Sequence, residues 1–341
     1  MKKDIAAFMR RIRSMSFARM EENISIIHRE TGVSKAFIRA DMINCALQRN
    51  VGYLDYRVFG FANNRSKENR ATYMTMNHNS CLSKKLNDRS AISVFIDKEK
   101  FNEKFRSYIG RDYLFLPDCD ARALKTFCSD KAFVFAKVTS SFGGQGIERL
   151  CTADISDYDA LYNRLTEEKK FLLEEAIIQH SEMERLSPKS VNTLRIVTIL
   201  HDGEAKYVYS LIRMGNGKNF VDNISSGGMY ALLDDQGRIS ERAFCDKTMQ
   251  FYECHPVSGV RFSDFTVPYF REAIEMCKQA ATVEPRVGYV GWDAAITPDG
   301  PVLVEGNHLP SYEMCQNSGL NHSKIGILPR FEEILGKDFF V

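Results

Sequence analysis

Residues 288–307 read GYVGWDAAITPDGPVLVEGN. Two apolar runs flank the Pro-Asp-Gly-Pro turn, so this stretch predicts two antiparallel strands joined as a hairpin. Asp293 and Glu305 then lie on opposite arms, and Asn307 shares the face of Glu305 because alternate strand residues point to one side. Carboxylate and amide oxygens suit Mg²⁺. Since an E-x-N triplet arises about once by chance in such a chain, this predicted metal site depends on the hairpin and on other motifs.

Further apolar runs predict more strands. They read FVFAKV, FLLEEAII, TLRIVTIL and KYVYSLIRM, at residues 133–138, 171–178, 193–200 and 206–214, and the last two flank a turn of hairpin length. We also predict a strand over residues 91–96, after which Asp97 caps a helix through Phe101, Phe105 and Ile109. Because helices and strands mix without strict βαβ alternation, the pattern favours an α+β fold over a doubly wound parallel sheet.

The first 90 residues predict helices followed by irregular chain. Residues 52–61 carry apolar side chains without a clear period, and residues 65–80 are polar, so we predict no regular structure in either stretch. Apolar residues recur at helical spacing near the N-terminus, among basic ones: Ile5, Phe8, Ile12 and Met15. This amphipathic helix is expected to pack on its own domain, and peripheral contact of residues 1–20 with an anionic membrane or a partner is the alternative.

Charge and cysteine content exclude several classes of protein. The chain has 341 residues, with 46 Lys and Arg against 44 Asp and Glu, so its net charge gives no reason to expect a nucleic-acid partner. Nine cysteines without a C-x-x-C pair indicate reduced thiols, and neither a disulfide framework nor a zinc site. Because no apolar run approaches the roughly 20 residues that span a bilayer, we expect a cytoplasmic protein.

Lys137 ends a predicted strand and precedes a loop rich in serine and glycine, at residues 140–146. Glycines let backbone N–H groups approach phosphate oxygens closely, and hydroxyl groups add donors. The loop matches neither GxxxxGK[ST] nor GxGxxG, so it is not a known nucleotide-binding motif of either kind. A phosphate-binding loop and an ordinary hairpin loop both remain open.

Charged residues interrupt two other predicted strands. Glu174 and Glu175 lie within residues 171–178, where burying an acid is costly unless it has a partner or a function. A strand that offers backbone groups to adenine would account for them, and so would a strand that passes from buried to exposed. Arg195, within TLRIVTIL, fits either a structural ion pair or a phosphate contact.

In chain order, these motifs resemble the ATP-grasp superfamily. Three parts of the chain are most similar to its sugar-transfer-associated branch: FIDKEKF (95–101), SVNTLRIVT (190–198) with VDNISSGG (221–228), and GWDAAITPDGPVLVEGN (291–307). The resemblance covers roughly residues 45–335 and implies two α+β lobes that clamp ATP. We accordingly expect a helix-rich region at residues 1–90, a small lobe at 91–170, and a large lobe with the metal site at 171–341.

The resemblance also implies roles for single residues. Lys98 and Lys137 would hold the α- and β-phosphates, with Lys100 the alternative to Lys98. The loop over the phosphates would contain Ser141, Gly143, Gly144 and Gly146. The adenine hinge would consist of Glu174, Glu175, Ala176 and Ile177. The ribose would contact Glu175 or Glu182. The metal ligands for Mg²⁺ or Mn²⁺ would be Asp293, Glu305 and Asn307, and the γ-phosphate or acyl phosphate would face Arg195, Arg213 and Asn223.

These roles predict an ATP-dependent ligase that joins a small-molecule carboxylate to an amine or another nucleophile through an acyl phosphate. The branch name implies surface-polysaccharide or amino-sugar modification. An ATP-grasp kinase acting on a hydroxyl acceptor and a non-catalytic nucleotide-binding scaffold are the alternatives, and a glycosyltransferase would rest only on Asp118-Cys119-Asp120. Asp293→Asn or Glu305→Gln is expected to abolish turnover and to leave folding intact.

Overall fold

The computed structural model describes residues 16–140, 146–217 and 227–340. The chain forms two compact units, Met1–Lys85 with Ser311–Val341, and Leu86–Pro310. The boundaries expected at residues 90 and 170 remain predictions. Short 3₁₀ turns lie at Leu116–Asp118, Thr152–Asp154, Phe262–Asp264, Met314–Gln316 and Lys337–Phe340.

The first unit is built of helices. They are α1 (Phe17–Thr31), α2 (Lys35–Arg49), α3 (Tyr53–Val58), α4 (Lys67–Ala71), α5 (Met76–Leu86) and a C-terminal helix, Leu328–Leu335. Ser16 and Ser34 cap the first two, since their hydroxyl groups accept hydrogen bonds from backbone N–H groups in the first turn. Gly32 ends α1 at φ 72°, a left-handed conformation that glycine adopts without strain.

Two stretches predicted to be irregular contain helices, so those predictions are wrong. Helix α3 lies within residues 52–61, and α4 and the start of α5 lie within residues 65–80. Ser66 caps α4 by accepting a hydrogen bond from the N–H of Asn69, and α5 buries Asn79 as well as Leu82. A helix that buries an amide side chain shows no clear apolar period, which is why the hydrophobicity pattern missed it.

Aromatic rings form the core of the first unit. Four buried rings contact one another at centroid distances of 4.9 to 5.9 Å: Tyr56, Phe59, Phe61 and Tyr73. Beside them, Arg70 and Asp41 form an ion pair at 2.6 Å, and the Tyr56 hydroxyl donates to Asp41 at 2.7 Å. The charges of Asp41 and Arg70 are thus paired with each other, as burial of a charge requires.

The second unit begins with short helices where we predicted a strand. Residues 93–96 form α6 (Ser93–Ile96), followed by α7 (Lys98–Lys104) and α8 (Arg106–Ile109). The strand prediction fails because a short apolar run fits a buried helix equally well. In this helix, the ring centroid of Phe95 lies 5.9 Å from that of Trp292. Asp97 caps α7 as predicted, by accepting from the N–H groups of Glu99 and Lys100.

A four-stranded antiparallel sheet follows, with the strand order β1-β4-β2-β3. Its strands are β1 (Tyr113–Phe115), β2 (Phe133–Lys137), β3 (Ile147–Cys151) and β4 (Leu172–Glu175). Helices α9 (Ala121–Cys128) and α10 (Tyr158–Glu167) pack against Val134 and Ala136. Because alternate residues of a strand face opposite sides, Lys137 lies on the other face of the sheet.

A seven-stranded antiparallel sheet has the order β11-β10-β5-β6-β7-β8-β9. Its strands are β5 (Thr193–His201), β6 (Glu204–Met214), β7 (Met229–Leu232), β8 (Ala243–Cys245), β9 (Gln250–Tyr252), β10 (Tyr289–Thr297) and β11 (Gly300–Asn307). Helix α11 (Ser181–Leu186) precedes it, and α12 (Phe270–Ala281) packs on it. The predicted hairpins β5–β6 and β10–β11 are confirmed.

None of the helices within the described ranges combines the length and the apolar character needed to cross a bilayer.

Candidate functional site

The β10–β11 hairpin brings the predicted metal ligands together. Asp293 lies directly opposite Glu305 in the strand register, as the sequence predicts. Asn307 follows two residues later, and its amide Nδ2 lies 3.5 Å from Oε1 of Glu305. The hairpin therefore places two carboxyl groups and one amide in contact at the edge of the seven-stranded sheet.

Asp293 is fully buried and pairs with two arginines of the same sheet. Its cross-strand neighbour on β5 is Arg195, whose Nε and Nη2 donate to Oδ1 and Oδ2 of Asp293 at 2.5 and 3.1 Å. Arg213 on β6 donates from Nη2 to Oδ2 at 2.6 Å and is also held by Thr193. Burial alone would raise the pKa of Asp293, but the two guanidinium groups outweigh it and lower the pKa to about 2. Asp293 is therefore ionised, and Arg195 takes the structural ion pair that the sequence left as one of two options.

Glu305 has the opposite electrostatic environment. Burial and the adjacent charge of Asp293 raise the pKa of Glu305, and the two carboxyl groups share a hydrogen bond. A divalent cation at this position would offset both effects, and carboxylate and amide oxygens are its preferred ligands. The residues present thus fit Mg²⁺. Within the described part of the chain, no group of three or more His, Cys, Asp and Glu could hold a metal; the set proposed here has two carboxyl groups and the amide of Asn307.

A second charged cluster surrounds Glu174 at the centre of the four-stranded sheet. Lys137 on β2 forms an ion pair with its carboxylate. Arg111 and Asn102 both donate to Oε1, at 2.9 and 2.6 Å. Burial would raise the pKa of Glu174, but Arg111 and Lys137 hold it well below the usual range. This network fixes the Lys137 ammonium on the face of the sheet that α9 and α10 leave uncovered.

The charged groups of both clusters act on Lys98. Its backbone N–H donates to the carbonyl of Thr139 at 2.9 Å, which fixes the start of α7 beside the chain that follows β2. Burial lowers the pKa of the Lys98 ammonium, and the charges of Glu305, Lys137 and Glu174 all act on it. Lys100, the alternative, is exposed. The charges that act on Lys98 favour it over Lys100 as the first phosphate-binding lysine, and this assignment stays a prediction.

The remaining predicted hinge residues differ in their surroundings. Glu174 lies in a central strand whose two neighbours are β1 and β2, whereas Ala176 and Ile177 follow the end of β4. Both line a cavity of about 540 Å³ together with Phe135 and Arg149. Glu175 accepts a hydrogen bond from the N–H of Asp112 at 3.1 Å. The chain just after β4 is thus the part of the predicted hinge that lines open space.

Other predicted site residues lie outside this cluster or outside the described ranges. Glu182 is half exposed in α11 and pairs with Arg185 at 2.5 Å. Gly146 precedes β3 at φ 71°, a conformation that suits glycine. Four residues fall outside the described part of the chain: Ser141, Gly143, Gly144 and Asn223. Residues 1–15, which hold most of the predicted basic helix, do so as well.

Arg111 and Asn102 were not predicted from the sequence. Arg111 donates from Nη1 and Nη2 to the carbonyl oxygens of Leu303 and Val304, at 2.7 and 3.2 Å, just before Glu305. Its guanidinium therefore joins the Glu174 cluster to β11, the strand that carries Glu305 and Asn307. The acidic pair within β4 signalled that a cation must lie nearby, but the partner is remote in sequence and no local pattern identifies it.

The Asp118-Cys119-Asp120 motif has a structural role. Asp120 caps α9 by accepting hydrogen bonds from the N–H groups of Arg122 and Ala123, each at 3.0 Å. Asp118 lies in the 3₁₀ turn before it. An N-cap accounts for the second aspartate, so the motif gives no support to a glycosyltransferase.

A family model and several solved structures match this chain. The family model described as sugar-transfer associated ATP-grasp matches residues 77–327. Among solved structures, the chain is similar to the ATP-grasp ligase PsnB complexed with minimal precursor (14% identity, 73% of this chain and 63% of that one, TM-score 0.43). It is also similar to D-alanyl-alanine synthetase A from Vibrio cholerae (12% identity, 73% and 64%, TM-score 0.40) and to D-cycloserine synthetase DcsG (11%, 74% and 73%, 0.42).

The chain spans 63% and 64% of the lengths of the first two structures. No match was found among curated proteins. The family match covers most of the chain, from α5 to the start of the C-terminal helix, and includes both charged clusters. This protein therefore belongs to the sugar-transfer associated ATP-grasp family and has the ATP-grasp fold.

Proposed function

We propose that this protein is an ATP- and Mg²⁺-dependent ligase that joins a carboxylate to an amine or another nucleophile through an acyl phosphate. One observation carries the proposal. Arg111 donates both to Glu174, the partner of Lys137, and to the carbonyl of Val304, the residue before Glu305, so cations suited to phosphate and acids suited to a metal occur close together. Phosphoryl transfer requires this combination, because it proceeds by positioning and charge neutralisation.

In this proposal, Lys98 and Lys137 hold the α- and β-phosphates, and Glu174 orients the Lys137 ammonium. The loop containing Gly143, Gly144 and Gly146 covers the phosphates. Asp293, Glu305 and Asn307 hold Mg²⁺, which when bound neutralises charge on the phosphate oxygens. The backbone of Ala176 and Ile177 receives adenine, and the ribose lies against Glu175 or Glu182.

Arg195 and Arg213 act on the site through Asp293. Their three hydrogen bonds keep its carboxylate ionised and in one orientation, which a metal ligand needs. We therefore assign them a positioning role first, and their contact with the γ-phosphate or the acyl phosphate is a further part of the proposal. Asn223, the third residue in that group, keeps its proposed role on the basis of sequence.

The reaction has two balanced steps. A carboxylate oxygen of the first substrate attacks the γ-phosphorus, and ADP leaves with the electron pair of the broken P–O bond. An amine then attacks the carbonyl carbon of the acyl phosphate, orthophosphate leaves, and the amine releases a proton to form an amide. No nucleophilic side chain is needed, since the substrate supplies each nucleophile. The family description leads us to propose an amino-sugar acceptor in surface-polysaccharide synthesis.

Product counting tests this proposal. The protein is incubated with Mg·ATP, pooled amino acids and nucleotide-linked amino sugars, and ADP, AMP and orthophosphate are quantified. A ligase gives ADP matched by acceptor-dependent orthophosphate, and Glu305→Gln abolishes both. ADP without matching orthophosphate would instead identify a kinase, and AMP would rule out the acyl-phosphate mechanism. Glu182→Gln, in an exposed ion pair, reports whether the ribose contact lies there or at Glu175.

A further inference from the structure

Positive charge is concentrated in the N-terminal part of the chain. Residues 1–85 contain 16 Lys and Arg against 7 Asp and Glu, an excess of 9. Since the whole chain has an excess of only 2 (46 against 44), residues 86–341 have a deficit of 7. The small net charge of the protein therefore hides a strongly basic N-terminal region, and such asymmetry indicates a polyanionic partner for that region.

Helices α1 and α2 form an antiparallel hairpin, and two side-chain pairs show which residues lie opposite each other. Lys35 donates to Ser25 at 3.0 Å, and Arg39 pairs with Glu21 at 2.8 and 2.6 Å. From the first pair to the second, the residue number falls by four on α1 and rises by four on α2. One further step of four along both helices places Phe17 beside Ile43, at the end of the hairpin where the basic segment 1–15 joins it.

That end exposes large apolar side chains. Phe17 is 65% exposed, Ile43 47% and Leu47 48%. Ile43 and Leu47 continue a stripe along the outer face of α2 that begins with Ala36 and Ala40, at the spacing of one helix face. The opposite face of α2, with Ile38, Met42 and Cys45, is buried in the unit. Helix α2 therefore has two apolar faces, of which the core of the described unit uses one.

We propose that this hairpin end, formed by Phe17, Ile43 and Leu47, docks on an anionic lipid bilayer. The apolar side chains enter the interfacial region, where each buried CH₂ favours binding, and the basic residues contact lipid headgroups. The sequence directly before Phe17 adds five basic residues and one acidic residue within positions 1–15. Membrane binding that is both apolar and electrostatic needs both features at one place, and the hairpin end has both.

The same observations argue against other occupants. A nucleic acid would attract the positive charge, but its phosphate backbone offers no apolar partner for Ile43 and Leu47. Segment 1–15 has apolar residues of its own, Ile5, Phe8, Ile12 and Met15; if it covered the hairpin end, the wild type would not bind vesicles. An anionic bilayer accommodates the apolar and the basic groups together. This inference does not depend on the proposed ligase activity.

Vesicle co-sedimentation of the full chain tests the proposal. Extruded vesicles contain either phosphatidylcholine alone or about 30% phosphatidylglycerol, and binding is measured at about 0.1 M and about 0.5 M salt. The double variant Ile43→Asp/Leu47→Asp places two acids on an exposed helix face, so its fold should persist, which circular dichroism verifies. Val257→Asp is the matched control, because Val257 is equally exposed, at 55%, and lies in the other unit.

We expect the wild type and Val257→Asp to bind the anionic vesicles with affinities within about twofold of each other. Binding should weaken at least about tenfold in the double variant, in high salt and on neutral vesicles. Three results would overturn the proposal: no binding by the wild type, equal binding by the folded double variant, or a dimer in size-exclusion chromatography that the double variant converts to a monomer without any vesicle binding. Abolition of RNA binding by the same double variant, with vesicle binding unchanged, would also overturn it and identify nucleic acid as the partner.

Discussion

Replacing Asp293 by asparagine should destabilise the seven-stranded sheet in addition to removing a metal ligand. The structure thus revises our expectation that this variant leaves folding intact. The Asp293 carboxylate is fully buried and accepts three hydrogen bonds from Arg195 and Arg213. Asparagine keeps the volume, but it removes the negative charge and turns one acceptor into a donor that faces a guanidinium group.

The size of the effect follows from this geometry. Removing one partner of a buried ion pair costs about 3–5 kcal/mol, because the remaining charge stays buried without compensation. We expect a loss of that order in the free energy of unfolding, since two guanidinium groups depend on this one carboxylate. Glu305→Gln is the matched control. Burial and Asp293 already favour the neutral form of Glu305 by raising its pKa, so a neutral amide should change stability by less than about 1 kcal/mol.

Trp292 makes this difference measurable. It is the single tryptophan of the chain, it is fully buried next to Asp293, and its Nε1 donates to Thr198 at 2.9 Å. Its fluorescence in a urea titration therefore reports unfolding of the sheet that carries the metal ligands. A clear fall of the midpoint for Asp293→Asn and an unchanged midpoint for Glu305→Gln are expected. Equal midpoints for Asp293→Asn and the wild type would refute the reasoning about the buried arginines.

Three further predictions concern the rest of the site. Lys137→Met should weaken binding of an ATP analogue by about tenfold or more because it removes a phosphate-binding ammonium, and calorimetric titration would show an unchanged affinity if Lys137 does not contact ATP. Asp120→Ala should lower the urea midpoint through loss of the α9 cap without altering Mg²⁺-dependent ATP turnover. Lost turnover with a folded protein would restore the D-x-D hypothesis. The pKa values of Glu174 and Asp293 are lowered from ordinary values of 4.5 and 3.8, so the stability they contribute is complete above those values and falls as the pH drops toward about 2. Urea midpoints at about pH 5 and about pH 3 check this, and the expected drop at low pH should be smaller in Asp293→Asn.

The β10–β11 hairpin was predictable because its signal is local. A Pro-Asp-Gly-Pro turn between two apolar runs fixes the register, and the register fixes which residues face each other. Asp293 therefore lies opposite Glu305 in the structure as it does in the prediction. The strand that carries Lys137 was also predictable, since the apolar run at residues 133–138 is typical of a strand, and β2 spans Phe133–Lys137.

Partners remote in sequence were not predictable. The sequence left Arg195 with either an ion pair or a phosphate contact, and the ion pair appears only once strands β10, β5 and β6 lie side by side and bring Arg195 and Arg213 to Asp293. Arg111 is 63 residues from Glu174 in sequence, and no periodic pattern connects them. The helix α6 was mistaken for a strand because its four residues are too few to show a period.

The central claim is that Lys98, Lys137, Asp293, Glu305 and Asn307 form a single Mg·ATP site. The most direct measurement is calorimetric titration with a non-hydrolysable ATP analogue, with and without Mg²⁺, for the wild type and for Glu305→Gln. We predict that Mg²⁺ strengthens binding to the wild type by about tenfold or more, and that Glu305→Gln loses this gain but keeps the affinity measured without metal. An equal gain from Mg²⁺ in both proteins, or no binding of the analogue by the folded wild type, would contradict the claim.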